Sequence, residues 1–134
     1  MLVRVAALAL AVVALAAPAT AARADGTDDD ESRVRVACLG GTAELRVRVA
    51  DNDDDAGAPR LELELRVDAA RSVRAWRIVL LHERRLIFEG MRRPAGGGYS
   101  LRLRRLVPNW PGRETISARL TAPSGRTCRL AATI

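Results

Sequence analysis

Lysine, histidine, cysteine and aromatic residues are absent or scarce in this chain. All 22 basic residues are arginine, and there are one histidine, two cysteines, two tryptophans, one tyrosine and one phenylalanine. Metal sites and Cys–His or Ser–His catalysis need several such groups to converge, so these classes of site are disfavoured and we expect no enzymatic activity. Single-stranded nucleic acids are bound by aromatic side chains interleaved with basic ones, so nucleic acid is not an expected partner.

The chain also lacks an apolar segment long enough to cross a membrane. Its longest apolar run, residues 5–17, has 13 residues, whereas a spanning helix needs about 20. A preceding arginine, a short apolar run and small residues at Ala21, Ala22 and Ala24 are typical of a secretory signal peptide with its cleavage site. We therefore predict a signal peptide at residues 1–24, no transmembrane span in the mature chain, and secretion into the extracellular or cell-envelope space.

Export places the two cysteines in an oxidising compartment, where thiols pair. Two cysteines allow one intramolecular bridge, so we predict a disulfide between Cys38 and Cys128 that encloses nearly the whole mature chain. The 134 residues are enough for one domain and too few for two ordinary ones.

Most of the chain after residue 31 alternates apolar and polar side chains with a period of two, which is typical of half-buried strands. Residues 25–31 (DGTDDDE) contain no apolar side chain and are predicted to be an acidic, disordered leader, followed by one domain at 32–134. The predicted inward sets are Val34, Val36 and Cys38; Ala43, Leu45, Val47 and Val49; Leu61, Leu63, Leu65 and Val67; Trp76, Ile78 and Leu80; Tyr99, Leu101 and Leu103; Ile116, Ala118 and Leu120; and Cys128, Leu130, Ala132 and Ile134. A further short strand is predicted at 86–89. Seven to eight strands without a helical period predict an all-β fold, an antiparallel β-sandwich closed by one disulfide between its first and last strands.

Three stretches in the second half of the chain carry a family resemblance. They are the strand, turn and strand of residues 76–89, the Gly-Tyr-Ser-Leu step at 98–101, and the loop at 106–112 that leads into the strand and turn at 115–125. Together they resemble the immunoglobulin-like domains of secreted and surface proteins of bacteria, over a little more than half of the chain. The resemblance implies an immunoglobulin-like sandwich in an extracellular setting and implies no catalytic residues. The chain departs from antibody domains in that its cysteines fall on the terminal strands, which lie side by side in such folds.

The acidic segment at 51–57 is the strongest metal candidate in the sequence. Asp51, Asp53 and Asp55 stand at alternate positions, and Glu62 follows eleven residues after Asp51, which approximates a calcium-binding loop. The pattern departs from that template at Ala56, where glycine is required, and Glu62 falls on a predicted strand. A solvated acidic loop is the alternative, so the sequence predicts no obligatory cofactor and leaves calcium as a hypothesis.

Charge is distributed unevenly along the chain. Residues 71–134 carry 14 arginines against three glutamates, whereas residues 25–70 carry six arginines against 13 acidic residues. One hypothesis is an arginine face for anionic polymers such as a cell-wall polymer, a glycan or membrane headgroups, with the candidate residues Arg77, Arg92, Arg93, Arg102, Arg104, Arg105 and Arg119. The alternative is pairing between strands, because the strands carrying Arg102 and Glu64 are neighbours in immunoglobulin-like folds.

Four other side chains have a predicted place in the sandwich. His82 shares the inward phase of Trp76 and is expected to be structural, and Trp110 is expected to close one end of the sandwich. Val79 and Leu81 are expected to point outward as an apolar patch for self-association or partner docking. We therefore expect a non-catalytic module with a structural or protein-interaction role, either a monomer or a weak homodimer. The alternatives are the arginine-face binder and a calcium-stabilised adhesion-type module.

Overall fold

Strands make up all the regular structure in the described part of the chain. The computed structural model describes residues 23–24, 30–38, 40–50, 57–68, 74–95 and 100–134. The strands are β1 (Arg23–Ala24), β2 (Glu31–Cys38), β3 (Gly41–Val49), β4 (Arg60–Asp68), β5 (Trp76–His82), β6 (Arg85–Arg92), β7 (Ser100–Pro108), β8 (Thr115–Thr121) and β9 (Thr127–Thr133). Apart from β1, the predicted signal peptide at 1–24 lies outside the described residues, as does the predicted leader except for Asp30 and Glu31.

The eight longer strands form two antiparallel sheets of four. The first sheet has the order β2-β3-β4-β7, with the two-residue β1 added at the outer edge of β2, and the second has the order β6-β5-β8-β9. Strands β3, β4 and β7 follow the A-B-E order of an immunoglobulin-like sandwich, and β6-β5-β8-β9 follow its C′-C-F-G order. Strand β2 is an addition before the first of these. The predicted antiparallel sandwich is confirmed.

The inward-facing residues of both sheets form one hydrophobic core. Leu45 and Leu65 from the first sheet and Ile78, Ile116 and Leu120 from the second are fully buried within it. Strand β4 shows why the alternation predicts this arrangement, since each apolar residue from Leu61 to Val67 is buried and each charged residue between them is partly exposed. Because the core is closely packed, truncation of one such leucine to alanine lowers the free energy of unfolding by about 2–5 kcal/mol.

Three strand boundaries extend beyond the alternating runs. β2 begins at Glu31, at the end of the predicted leader, because the Glu31 carboxylate is held by Arg46 of the neighbouring strand. β6 spans Arg85–Arg92 rather than 86–89, since it pairs with β5 along its length despite a register shift between Leu80 and Leu81. β7 extends to Pro108. Proline has no backbone N–H to donate, and an edge strand tolerates this because it has a hydrogen-bonded neighbour on one side only.

The predicted disulfide joins Cys38 and Cys128, with their Cα atoms 5.8 Å apart. β2 belongs to the first sheet and β9 to the second, so the bridge crosses between sheets. The terminal strands lie next to each other, as the resemblance implied, but they belong to different sheets, since β2 forms its ladder with β3 and β9 forms its ladder with β8. The bridge ties the start of the sandwich to its end.

The turn between β5 and β6 brings one end of the sandwich together. Its two central residues, Glu83 and Arg84, both have positive φ, 45° and 69°, which is the geometry of a two-residue hairpin turn that matches the strand twist. The Glu83 N–H donates to the Thr115 carbonyl, and the Glu83 carboxylate accepts a hydrogen bond from the Thr115 N–H. The turn is therefore tied to the first residue of β8.

Candidate functional site

The outer face of the first sheet is covered by ion pairs between neighbouring strands. We call it the ion-paired face, and its paired residues are Arg33, Arg35, Arg46, Arg48, Arg102 and Arg104 with Glu31, Glu44, Glu62 and Glu64. Glu64 on β4 lies between two arginines of β7, 3.0 Å from Arg102 and 3.7 Å from Arg104. The cross-strand pairing predicted as the alternative to an arginine face is present here.

One pair on this face is bidentate. The Arg46 Nε and Nη2 atoms donate to the two carboxylate oxygens of Glu31 at 2.8 and 2.6 Å. The hydrogen bonds from Arg46, followed by its charge, hold the pKa of the Glu31 carboxyl below its ordinary value. The same carboxylate raises the pKa of Arg46. Both groups are therefore charged and engaged at neutral pH.

The outer face of the second sheet is different, and we call it the open face. Its outward residues are Arg77, Val79 and Leu81 on β5, Leu86, Glu89 and Met91 on β6, Ser117 and Arg119 on β8, and Arg129 and Ala131 on β9. Leu86 and Met91 are 58% and 56% exposed. The outward orientation predicted for Val79 and Leu81 is confirmed, and both side chains are half-buried.

A groove runs along β8 on the open face. It has a volume of about 550 Å³, and Val79, Leu81, Ser117, Arg119, Arg129 and Ala131 line it. Ser117 and Ala131 are directly opposite each other. Because both side chains are small, a depression remains between the larger side chains around them. The floor of the groove is therefore mainly apolar.

Arg119 and Arg129 occupy the next row of the same groove. They are cross-strand partners on β8 and β9, and both are exposed. Within the described residues neither forms an ion pair, whereas Arg77 of the same face is paired with Glu89. Like charges placed directly opposite on a sheet destabilise it, so this pair of arginines is an electrostatically unfavourable arrangement.

Two other arginines lie against Phe88 at the edge formed by β6 and β7. The guanidinium carbons of Arg92 and Arg105 are each 4.7 Å from the centre of the Phe88 ring. A Cβ atom added at Gly90 would be 3.1 Å from the tip of this ring, so the missing side chain makes room for it. The sequence did not predict this cluster, because the run at 86–89 shows no clear alternation.

A polar cluster closes the end of the sandwich at the β5–β6 turn. The rings of His82 and Trp110 are stacked, and the His82 Nε2 atom lies 3.4 Å from the Glu114 Oε2 atom. His82 and Glu114 are only 1% and 2% exposed. The backbone N–H of Trp110 donates a hydrogen bond to the Glu114 carboxylate, and the Arg85 guanidinium lies over the Trp110 ring.

Glu114 is the member of this cluster that the sequence analysis missed. Its position shares the inward phase of Ile116, Ala118 and Leu120, which is the signal that could have revealed its burial. Paired backbone hydrogen bonds between Glu114 and Ile134, both 3.0 Å, fix the residue at the start of β8. The two titratable members of the cluster, His82 and Glu114, are therefore shielded from solvent, whereas Trp110 is half-buried and Arg85 is exposed.

The seven arginines predicted as one anion-binding set are divided among different surfaces. Arg102 and Arg104 are on the ion-paired face, Arg77 and Arg119 are on the open face, and Arg92 and Arg105 flank Phe88. Arg93 follows β6 and is exposed. The fold brings Arg92 and Arg105 together at Phe88 and Arg102 and Arg104 together at Glu64, and it places Arg119 opposite Arg129, which is absent from the predicted set.

Most of the predicted calcium ligands lie outside the described residues. Asp51, Asp53 and Asp55 are among them, and the fourth, Glu62, accepts two hydrogen bonds from Arg48. In the part of the chain that the structure describes, no cluster of three or more metal-ligating side chains occurs. The described residues also contain no helix that could serve as a membrane span.

Comparisons with known protein families, with curated proteins and with solved structures give no significant match for this chain. The features of the molecule that bear on its function are therefore the two outer faces, the groove and the buried end cluster.

Proposed function

We propose that this protein is an exported, non-catalytic, immunoglobulin-like module that binds another protein through its open face. The observation that carries the proposal is the contrast between the two outer faces. Ion pairs within the chain satisfy most of the charge on the ion-paired face, whereas the open face presents exposed leucine and methionine beside two unpaired arginines. An exposed apolar patch with a charged border is typical of a protein-interaction site.

Two further observations support the module and its setting. The strand order corresponds to the A-B-E and C′-C-F-G sheets of immunoglobulin-like domains. A disulfide that closes a loop of 90 residues is suited to an oxidising compartment, in agreement with the predicted signal peptide. The non-catalytic assignment is supported by the burial of His82 and Glu114, the one histidine–carboxylate pair in the described residues.

A binder of anionic polymers is the second candidate. Arg119 and Arg129 favour it, because two adjacent guanidiniums without an acidic partner can hold one anionic group. The division of the other predicted arginines among separate surfaces weighs against a continuous track for a polymer.

Site-specific photo-crosslinking tests the proposal. A photoreactive amino acid replaces Leu86 on the open face in one variant and Leu106 on the ion-paired face in the other, and the two native side chains are 58% and 57% exposed. We expect the exported protein, illuminated in its native host, to give a discrete protein adduct from position 86 and none from position 106. Equal labelling at both positions, or adducts at neither, would overturn the proposal.

A further inference from the structure

The geometry points to the chemistry of the partner: an extended polypeptide strand with an acidic side chain at one position and an apolar side chain two residues away on one side. The acidic group sits between Arg119 and Arg129, and an apolar neighbour enters the groove beside Leu81 and Ala131. This inference depends on the proposed function, because it names the partner of the same open face.

Charge complementarity supports an acidic group on the partner. Arg119 and Arg129 are in register on adjacent strands, which lie about 4.8 Å apart in a sheet. Two guanidiniums at that spacing can both donate to one carboxylate, which replaces their mutual repulsion by two charge-assisted hydrogen bonds. The Arg77 guanidinium is already engaged by Glu89 and does not compete for the ligand.

The spacing between rows on the open face supports an apolar partner residue two positions away from the acidic one. Leu81, Ser117 and Ala131 form one cross-strand row, and Val79, Arg119 and Arg129 form the next row on the same face. Rows on one face are two residues apart, about 6.7 Å, and an extended partner strand repeats its side chains at the same distance. A carboxylate on the arginine row therefore places the next same-side residue on the apolar row.

The same charges disfavour a second copy of this chain as the occupant. An isologous pair would bring two identical open faces together, each with Arg77, Arg119 and Arg129 against the single acidic residue Glu89. Such a contact repels unless a bridging anion is added. We therefore take a different, acidic and apolar protein surface as the partner.

Titration of the full mature chain with short peptides tests the inference. The probe is a seven-residue capped peptide, Thr-Leu-Thr-Glu-Thr-Leu-Thr, and its matched controls replace the glutamate with glutamine or both leucines with serine. Backbone amide chemical shifts report binding residue by residue. We expect saturable shifts at Leu81, Ser117, Arg119, Arg129 and Ala131 with the first peptide. The affinity should be about tenfold lower for the glutamine control, since a charge-assisted bond of this kind corresponds to about one decade. It should also be lower for the serine control, which loses the apolar contact.

Matched variants assign the effect to the two arginines. We expect the double substitution Arg119→Gln and Arg129→Gln to lower the affinity for the glutamate peptide about tenfold. Arg126→Gln, which changes an exposed arginine in the β8–β9 turn, should leave the affinity unchanged. Thermal melting of each variant confirms that the fold is retained.

Three outcomes would overturn the inference. The first is a glutamate peptide that binds no better than its glutamine control. The second is heparin or phosphatidylglycerol vesicles producing the open-face shifts that the peptide fails to produce, which would establish the anionic-polymer or membrane alternative. The third is a crosslinked partner at position 86 whose yield is unaffected by the double arginine variant. This last result would reject the acidic chemistry while leaving the proposed function intact.

Discussion

The imidazole of His82 stacks on the indole of Trp110 with the ring centres 4.1 Å apart and an angle of 8° between the planes. This contact joins the last residue of β5 to the loop before β8, two segments that the β5–β6 turn also ties together. Glu114 completes the cluster, and one of its carboxylate oxygens accepts a hydrogen bond from the backbone N–H of Trp110. The end of the sandwich is thus closed by a buried polar cluster in which the His82 Nε2 atom and the second Glu114 oxygen lie 3.4 Å apart without forming a hydrogen bond.

Burial of Glu114 makes its carboxylate important for stability. We expect Glu114→Ala to lower the free energy of unfolding by about 2–3 kcal/mol, because it leaves the backbone N–H of Trp110 without an acceptor and removes the carboxylate beside the buried His82 imidazole. Urea denaturation followed by circular dichroism measures the change. Glu83→Ala is the matched control, since Glu83 also accepts one backbone N–H but is exposed, and its cost should stay below about 1 kcal/mol. Equal costs at the two positions would show that burial is not the reason.

The Glu31–Arg46 pair predicts a specific dependence of stability on pH. Because the folded-state pKa of Glu31 lies below its ordinary value of 4.5, the stability that its charge supplies is fully present above that value. This contribution is lost as the pH falls through the lowered folded-state pKa. We expect wild type to be more stable than Glu31→Gln at pH 7 and the difference to shrink steadily below pH about 4.5.

Chemical denaturation at a series of pH values provides the measurement. Arg46→Gln is the control, since it removes the partner whose hydrogen bonds and charge lower the pKa of Glu31. In that background the Glu31→Gln substitution should have a smaller effect and a weaker pH dependence, since only the contact of Glu31 with Arg33 remains. A wild-type advantage that grows in acid would contradict the assignment.

Removal of the disulfide should destabilise the fold strongly. In the chain-entropy description, a loop of 90 residues corresponds to about 4–5 kcal/mol at room temperature. We expect the double variant Cys38→Ala and Cys128→Ala to lose an amount of this order, measured by urea denaturation. Wild type treated with a reductant should behave in the same way, whereas the double variant should not respond to the reductant.

Arginines on the two faces should respond to substitution in opposite directions. Arg129→Gln removes a like-charge contact with Arg119, so the fold should become more stable by a few tenths of a kcal/mol. Arg48→Gln removes a contact with Glu62, and its cost should be about 0.2–1 kcal/mol. Thermal melting at low and high salt tests both, because both differences should diminish as salt increases. The same sign for both variants would contradict the distinction between the faces.

Calcium should have no effect on the melting temperature at millimolar concentration. Glu62, the one predicted ligand in the described residues, is bound by Arg48 and would have to exchange that partner for the metal. Differential scanning calorimetry with calcium and with a chelator measures this. A rise in the midpoint that Asp53→Asn abolishes would establish the calcium-stabilised module instead.

The sequence predicted the sandwich because its strongest signal is local. On β4, on β8 and at the start of β7 each residue's phase follows directly from the alternation, so the inward sets and the outward Glu64 and Arg102 could be assigned without a structure. The disulfide followed from the number of cysteines. β6 was predicted too short, because Leu86 and Met91 are apolar but point to solvent, which obscures its pattern.

The candidate site was predictable only in part. The outward position of Val79 and Leu81 follows from the phase of β5, but the pairing of Arg119 with Arg129 depends on the register between β8 and β9, which a single sequence does not specify. The end cluster was missed for a related reason. His82, Trp110 and Glu114 belong to separate segments, and their contact depends on how the β5–β6 turn meets the start of β8.

The bridge between Cys38 and Cys128 also determines how the molecule would bear a mechanical load. Force applied from outside the bridged segment passes through the sulfur–sulfur bond, so the 90-residue separation between the cysteines cannot lengthen even if the strands detach. That segment would otherwise extend to about 300 Å. A nick in any loop within it would likewise leave both fragments attached. A module built in this way keeps its two ends connected at a fixed span after strand detachment or after a single backbone cut.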